Sequence, residues 1–200
     1  MLRNTVFAAV LAALLGFAPA AFANITIYSA SLLGSSEVPP NASPGVGSAL
    51  VTWDDIAHTM RVQVTFSDLL GIVTASHIHA ATAVAGAGTA GVATTTPTFA
   101  GFPSGVTSGA YDNTLDMTLA SSYRAAYVTD NGGTTASAAI ALGDALFAGK
   151  AYLNIHTNLF PGGEIRGFLV AVPEPETYAM MLAGLGLLGF AARRRKQKAA

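Results

Sequence analysis

Along most of the chain apolar and polar positions alternate, the pattern of strands that bury one face. In 59–66, Met60, Val62, Val64 and Phe66 point one way while Thr59, Arg61, Gln63 and Thr65 point the other. In 46–53, Ala49, Val51 and Trp53 fall in phase with that core face, and Asp54 and Asp55 belong to the connection, which predicts a hairpin. A strand over 25–33 precedes it and one over 72–80 follows. Stretch 110–119 alternates again, with Leu115, Met117 and Leu119 opposite Thr114, Asp116 and Thr118. Two short strands, 152–156 and 164–169, flank a turn carrying Pro161, Gly162 and Gly163.

Two segments break the period of two. Residues 121–128 predict a short helix capped by Ser121 or Ser122 and stopped by Asp130-Asn131-Gly132-Gly133. Residues 135–147, with Ile140, Leu142 and Leu146 at helical spacing, predict a second helix over a sheet edge. Between them and the early strands lies 81–109, low in charge and rich in Ala, Gly and Thr. It predicts a long loop with a short strand near 91–95. The fold class is mainly β: an antiparallel β-sandwich or barrel-like domain with one or two short helices.

Both ends of the 200-residue chain differ from this middle. Residues 1–23 combine Arg3, an apolar run and Ala21-Phe22-Ala23, the layout of a secretory signal peptide cleaved before Asn24. Residues 24–171 form the β domain. Residues 172–200 hold Pro173-Glu174-Pro175, an uncharged and mostly apolar run over 177–192, and Arg193-Arg194-Arg195-Lys196. That run predicts a transmembrane helix, short of the usual span of about twenty residues, and the basic end fixes its cytoplasmic side.

The formal charge of -1 hides an asymmetry, because six of the ten basic residues lie in the two terminal segments. Between Asn24 and Val172 four basic residues (Arg61, Arg124, Lys150, Arg166) face nine acidic ones, a net of -5. An acidic domain without a basic patch is a poor nucleic-acid binder. Cysteine is absent, which removes thiol catalysis and cysteine-ligated zinc.

One constellation carries chemical potential. His77 and His79 share a strand face, and Tyr152, Asn154 and His156 share another. A pair and a single from neighbouring strands can supply three imidazole nitrogens to copper or zinc, with a coordination position left open. The alternative is three histidines engaged in ordinary hydrogen bonds. Asn154 and Tyr152 would line the site, with Glu164 or Arg166 behind the ligands. Glu164 then accepts from a histidine N–H, or else forms a surface ion pair with Arg166. His58, in the turn after Asp55, is solvated. Gly184-Leu185-Gly186-Leu187-Leu188-Gly189 matches a dinucleotide fingerprint only in letters, since it lies within the apolar run. No nucleophile elbow, P-loop or HExxH stretch occurs. Four histidines are too few for a copper/zinc dismutase site.

The motifs His77-Ile78-His79, Tyr152-Leu153-Asn154-Ile155-His156-Thr157 and Pro161-Gly162-Gly163-Glu164-Ile165-Arg166-Gly167-Phe168, with the opening Leu32-Leu33-Gly34-Ser35-Ser36-Glu37-Val38-Pro39-Pro40, resemble the chordin-type (CHRD) domain. The resemblance covers about 25–170 and implies an extracellular all-β module; it names no reaction. Val172-Pro173-Glu174-Pro175, the short apolar run and the basic terminus resemble the PEP-CTERM sorting signal of Gram-negative bacteria. That likeness implies recognition of Pro173, Glu174 and Pro175 by an exosortase-type membrane protease, after transient anchoring in the inner membrane.

The expected function is an exported module displayed in the cell envelope or extracellular matrix, with a non-catalytic binding or structural role. Exopolysaccharide or another surface protein is its expected partner there. The alternative is a copper- or zinc-binding protein, or a small metal-dependent oxidoreductase, built on His77, His79 and His156.

Overall fold

The computed structural model describes residues 25–173, 182–186 and 188. The expected signal peptide lies outside them, as do Glu174, Pro175 and most of the apolar run and basic end. Among the described residues no helix is long and apolar enough to cross a membrane.

The strands are β1 (Ile25–Leu33), β2 (Val46–Asp54), β3 (Thr59–Ser67), β4 (Val73–His79), β5 (Gly109–Asp116), β6 (Tyr152–Thr157), β7 (Ile165–Phe168) and β8 (Val170–Ala171). All join one sheet in the order β4-β6-β7-β1-β2-β3-β5, with β8 also on β1, and every pairing is antiparallel. The sheet curls into a half-barrel, so of the two expected forms it takes the barrel-like one. Leu32, Val51, Met60, Val62, Leu153, Ile155 and Ile165 are fully enclosed on its inner face, which is what the alternation in each strand requires. Trp53, expected in the core, is only half-buried, its ring beside Gly143. Leu119 is exposed, because β5 ends at Asp116 and the Asp116 carboxylate turns the chain by accepting from the Thr118 amide at 2.8 Å.

The helices are α1 (Ala125–Asp130) and α2 (Thr135–Phe147). The second has the expected bounds and a reciprocal cap between Thr134 and Ser137. The first starts later than 121, with Arg124 at its N-cap and neither serine capping it. Residues before it are held straight by the long loop: Thr94 bridges Tyr123, Arg124 N–H donates to Ala93 O, and Thr95 Oγ1 donates to Ser121 O. The chain becomes helical only after these contacts end.

That loop contains no strand, only isolated bridges at Val92 and Thr94. It runs along β4 and over its polar face. Ala93 N–H donates to Ile78 O at 2.9 Å, Phe99 N–H to Ser76 O at 3.0 Å, and Thr94 Oγ1 accepts from Ile78 N–H at 2.9 Å. The polar face of the β6–β7 hairpin is therefore buried rather than presented to water.

Candidate metal centre

Strands β4 and β6 pair so that His77 lies opposite Asn154 and His79 opposite Tyr152. A bulge between Val73 and Ala75 sets Ala75 opposite His156. The three histidines thus converge on one face. Ring centroids lie 4.8 Å apart for His77 and His79, 4.7 Å for His77 and His156, and 6.1 Å for His79 and His156. One nitrogen from each falls within 4.8 Å of the others. His77 and His79 are buried, and His156 is partly open to solvent.

The backs of the rings decide which nitrogen faces inward. His79 Nδ1 meets Ala90 O at 2.8 Å, His156 Nδ1 meets Pro161 O at 2.8 Å, and His77 Nδ1 meets Pro97 O at 3.3 Å. A carbonyl only accepts, so each Nδ1 carries the proton and each Nε2 of the neutral ring presents a lone pair. His77 Nε2 and His156 Nε2 then face each other at 2.9 Å. Two lone pairs at that distance repel unless a proton or a cation lies between them. His79 Nε2 is buried and has no hydrogen-bond partner among the described residues. Zinc sits about 2.0–2.1 Å from each nitrogen, so a shared ion would draw the widest pair inward by side-chain rotation.

Protonation does not solve the repulsion cheaply. Burial, then the neighbouring His156 and His79, push the His77 imidazolium down to about 3. Burial likewise lowers His79 and His156. At neutral pH the set is three uncharged nitrogen donors, the state a metal requires. Three imidazoles without a carboxylate suit zinc and copper, and the solvent-facing side at His156 leaves room for a further ligand.

Behind the ligands lies a stack. The Tyr152 ring covers His79 at 4.7 Å, nearly parallel, and the Arg166 guanidinium lies 4.6 Å over Tyr152. Asn154, opposite Arg166 in the ladder, is buried among these groups with its Oδ1 unpartnered among the described residues. Arg166 is itself buried, donating to Ser36 O and Gly88 O and lying 3.7 Å from Glu37 Oε2. Sequence reasoning quoted Glu37 but gave it no role; an arginine on a strand needing a buried counter-charge was the only signal. Burial raises Glu37 to about 7, with Arg166 opposing.

Neither expected role of Glu164 matches the hydrogen bonds. It is fully buried and turned from the histidines, accepting from Ser43, Thr157 and the Leu70 and Gly71 amides. Its partner is not Arg166, whose carboxylate is Glu37. His58 is exposed in the β2–β3 turn.

A family model described as the CHRD domain matches residues 28–169, and one described as the PEP-CTERM protein-sorting motif matches 171–196. No curated protein and no solved structure matches the chain. The sorting motif indicates export, membrane-anchored sorting to the cell envelope and processing by an exosortase, a membrane protein. The first match takes in β1 to β7, all three histidines, Glu37 and Arg166, and on that span the chain belongs to the CHRD domain family.

Proposed function

We propose that this sorted surface protein is a metal-binding module that holds one copper or zinc ion on His77, His79 and His156. The observation behind the reading is the 2.9 Å approach of two Nε2 atoms whose rings both spend Nδ1 on a carbonyl. The unpartnered Nε2 of His79 points to the same occupant. A purely structural role asks for none of this, since each ring is already anchored through Nδ1.

The protein's own residues would do three things for the ion. Carbonyls of Ala90, Pro97 and Pro161 fix the tautomers, Tyr152 and Arg166 hold the His79 ring, and the covering loop limits water. A bound ion would act as a Lewis acid or, for copper, as an electron carrier. Display in the envelope or extracellular matrix, beside exopolysaccharide or another surface protein, is the proposed setting.

Elemental analysis of the exported protein, with calorimetric titration of the metal-stripped chain by Cu²⁺ and Zn²⁺, tests the reading. One equivalent bound, and lost in His79→Ala, is the expected result. A wild-type chain that binds neither ion would leave a non-catalytic display module.

A further inference from the structure

We propose that the end of the sheet where the chain leaves the domain is a lipid-contacting surface, seated on the bilayer while the sorting tail is attached. The last described main-chain anchor is Val172 N–H, which donates to Ile27 O at 2.8 Å. The apolar run starts at Thr177. The five residue steps between them reach at most about 17 Å when fully extended. That is about the radius of gyration of a 150-residue domain, roughly 15 Å, and well short of its diameter. The exit end therefore faces the membrane at close range.

Apolar side chains crowd this end. Val172 lies beside Ile27 in the ladder, Ile25 follows along β1 and Val170 opens β8; all four are exposed. Helix α2 packs against β8 and ends in Phe147, 84% exposed. Phe147 and the half-buried Trp53 line one groove of about 630 Å³. Exposed apolar residues are ordinary when scattered. Gathered round a membrane-directed exit, with two aromatic rings among them, they fit the bilayer interface. Asp54, Asp55 and Asp144 lie near this end, so charge does not draw it to anionic lipid. The attraction is apolar and suits a zwitterionic surface.

Trp53 is the chain's sole tryptophan and reports directly. The full-length chain reconstituted in phosphatidylcholine vesicles would be measured for quenching of Trp53 by lipids brominated near the headgroup. Quenching is expected, and it should persist when a flexible Gly-Ser segment of about ten residues is inserted after Val172. It should fall to the level of a soluble reference in Phe147→Asp/Val170→Asp and in the milder Phe147→Ser/Val170→Ser, each with an unchanged circular dichroism spectrum. Absence of quenching in the native chain overturns the proposal. So does quenching that vanishes once the connection is lengthened, which reports tethering alone, or that survives the substitutions.

Discussion

The Glu164 carboxylate and the Gly71 amide, 93 residues apart in sequence, meet at 3.0 Å in the interior. The same carboxylate accepts from Ser43 Oγ at 2.6 Å, Thr157 Oγ1 at 2.7 Å and the Leu70 amide. Burial opposes its ionisation, but these four donors outweigh burial and hold its pKa below the ordinary range. Glu164→Ala leaves four buried donors without an acceptor and should cost about 3–5 kcal/mol in urea unfolding. Metal affinity of the folded fraction should stay near wild type, because no histidine leans on Glu164. A large affinity loss at full stability would show the opposite division of roles.

His79→Ala should lower copper or zinc affinity by more than about a hundredfold, since loss of a ligand exceeds the 10–100-fold typical of groups behind ligands. Stability of the ion-free chain should change far less, as the ring's main contacts are Tyr152 and one carbonyl. Competition titration beside thermal melts of the same variant separates the two effects.

The ion-free chain should lose stability as pH falls from about 6.5 toward 3. In the folded state His77 is pushed down to about 3, and His79 and His156 also lie below 6.5. The unfolded chain takes up protons first, so acid favours unfolding across that window. Glu37, raised to about 7, works in the reverse sense between about 7 and 4.5, where the folded state holds the extra proton. Urea midpoints against pH should steepen in Glu37→Gln and flatten in His77→Gln. No change of slope in either variant would contradict the assignment.

Val64→Asp should unfold the domain. Val64 is 1% exposed in the middle of β3, flanked by Ala49 and Tyr111 in the ladder. A lone carboxylate there costs more than about 4 kcal/mol. Circular dichroism at neutral pH should show loss of the sheet signal.

Processing should yield a mature protein that starts at Asn24 and lacks everything after roughly Pro173-Glu174-Pro175. Intact-mass measurement on native material checks both ends at once. A mass that retains Arg193 to Ala200 would rule out removal of the tail.

The strands were legible because each has one face in the core, and that leaves a two-residue period in Met60, Val62, Val64 and Phe66. Convergence of His77, His79 and His156 was legible for the same reason: alternation fixes faces, and both motifs put aliphatics opposite. The covering of that face was not. The loop over it holds β4 and the rings mainly through backbone groups and small hydroxyls, such as Ala90 O, Pro97 O and Thr94 Oγ1, which impose no period on the sequence. Glu37 stayed hidden because its partner Arg166 lies at the far end of the chain. Nothing local distinguishes a buried carboxylate in a proline-flanked loop from a solvated one.

The pairing of β4 with β6 joins residues 79 positions apart, and it is the pairing that brings His156 to His77. Contacts so distant in sequence form late, after the entropy of closing the intervening loop has been overcome. Before that the chain offers an ion only the His77 and His79 pair, a weak chelate. Full affinity emerges with the folded sheet, so an ion selects the native state and slows its loss rather than nucleating it. Refolding rates should then be nearly indifferent to zinc, while unfolding rates fall as zinc is added.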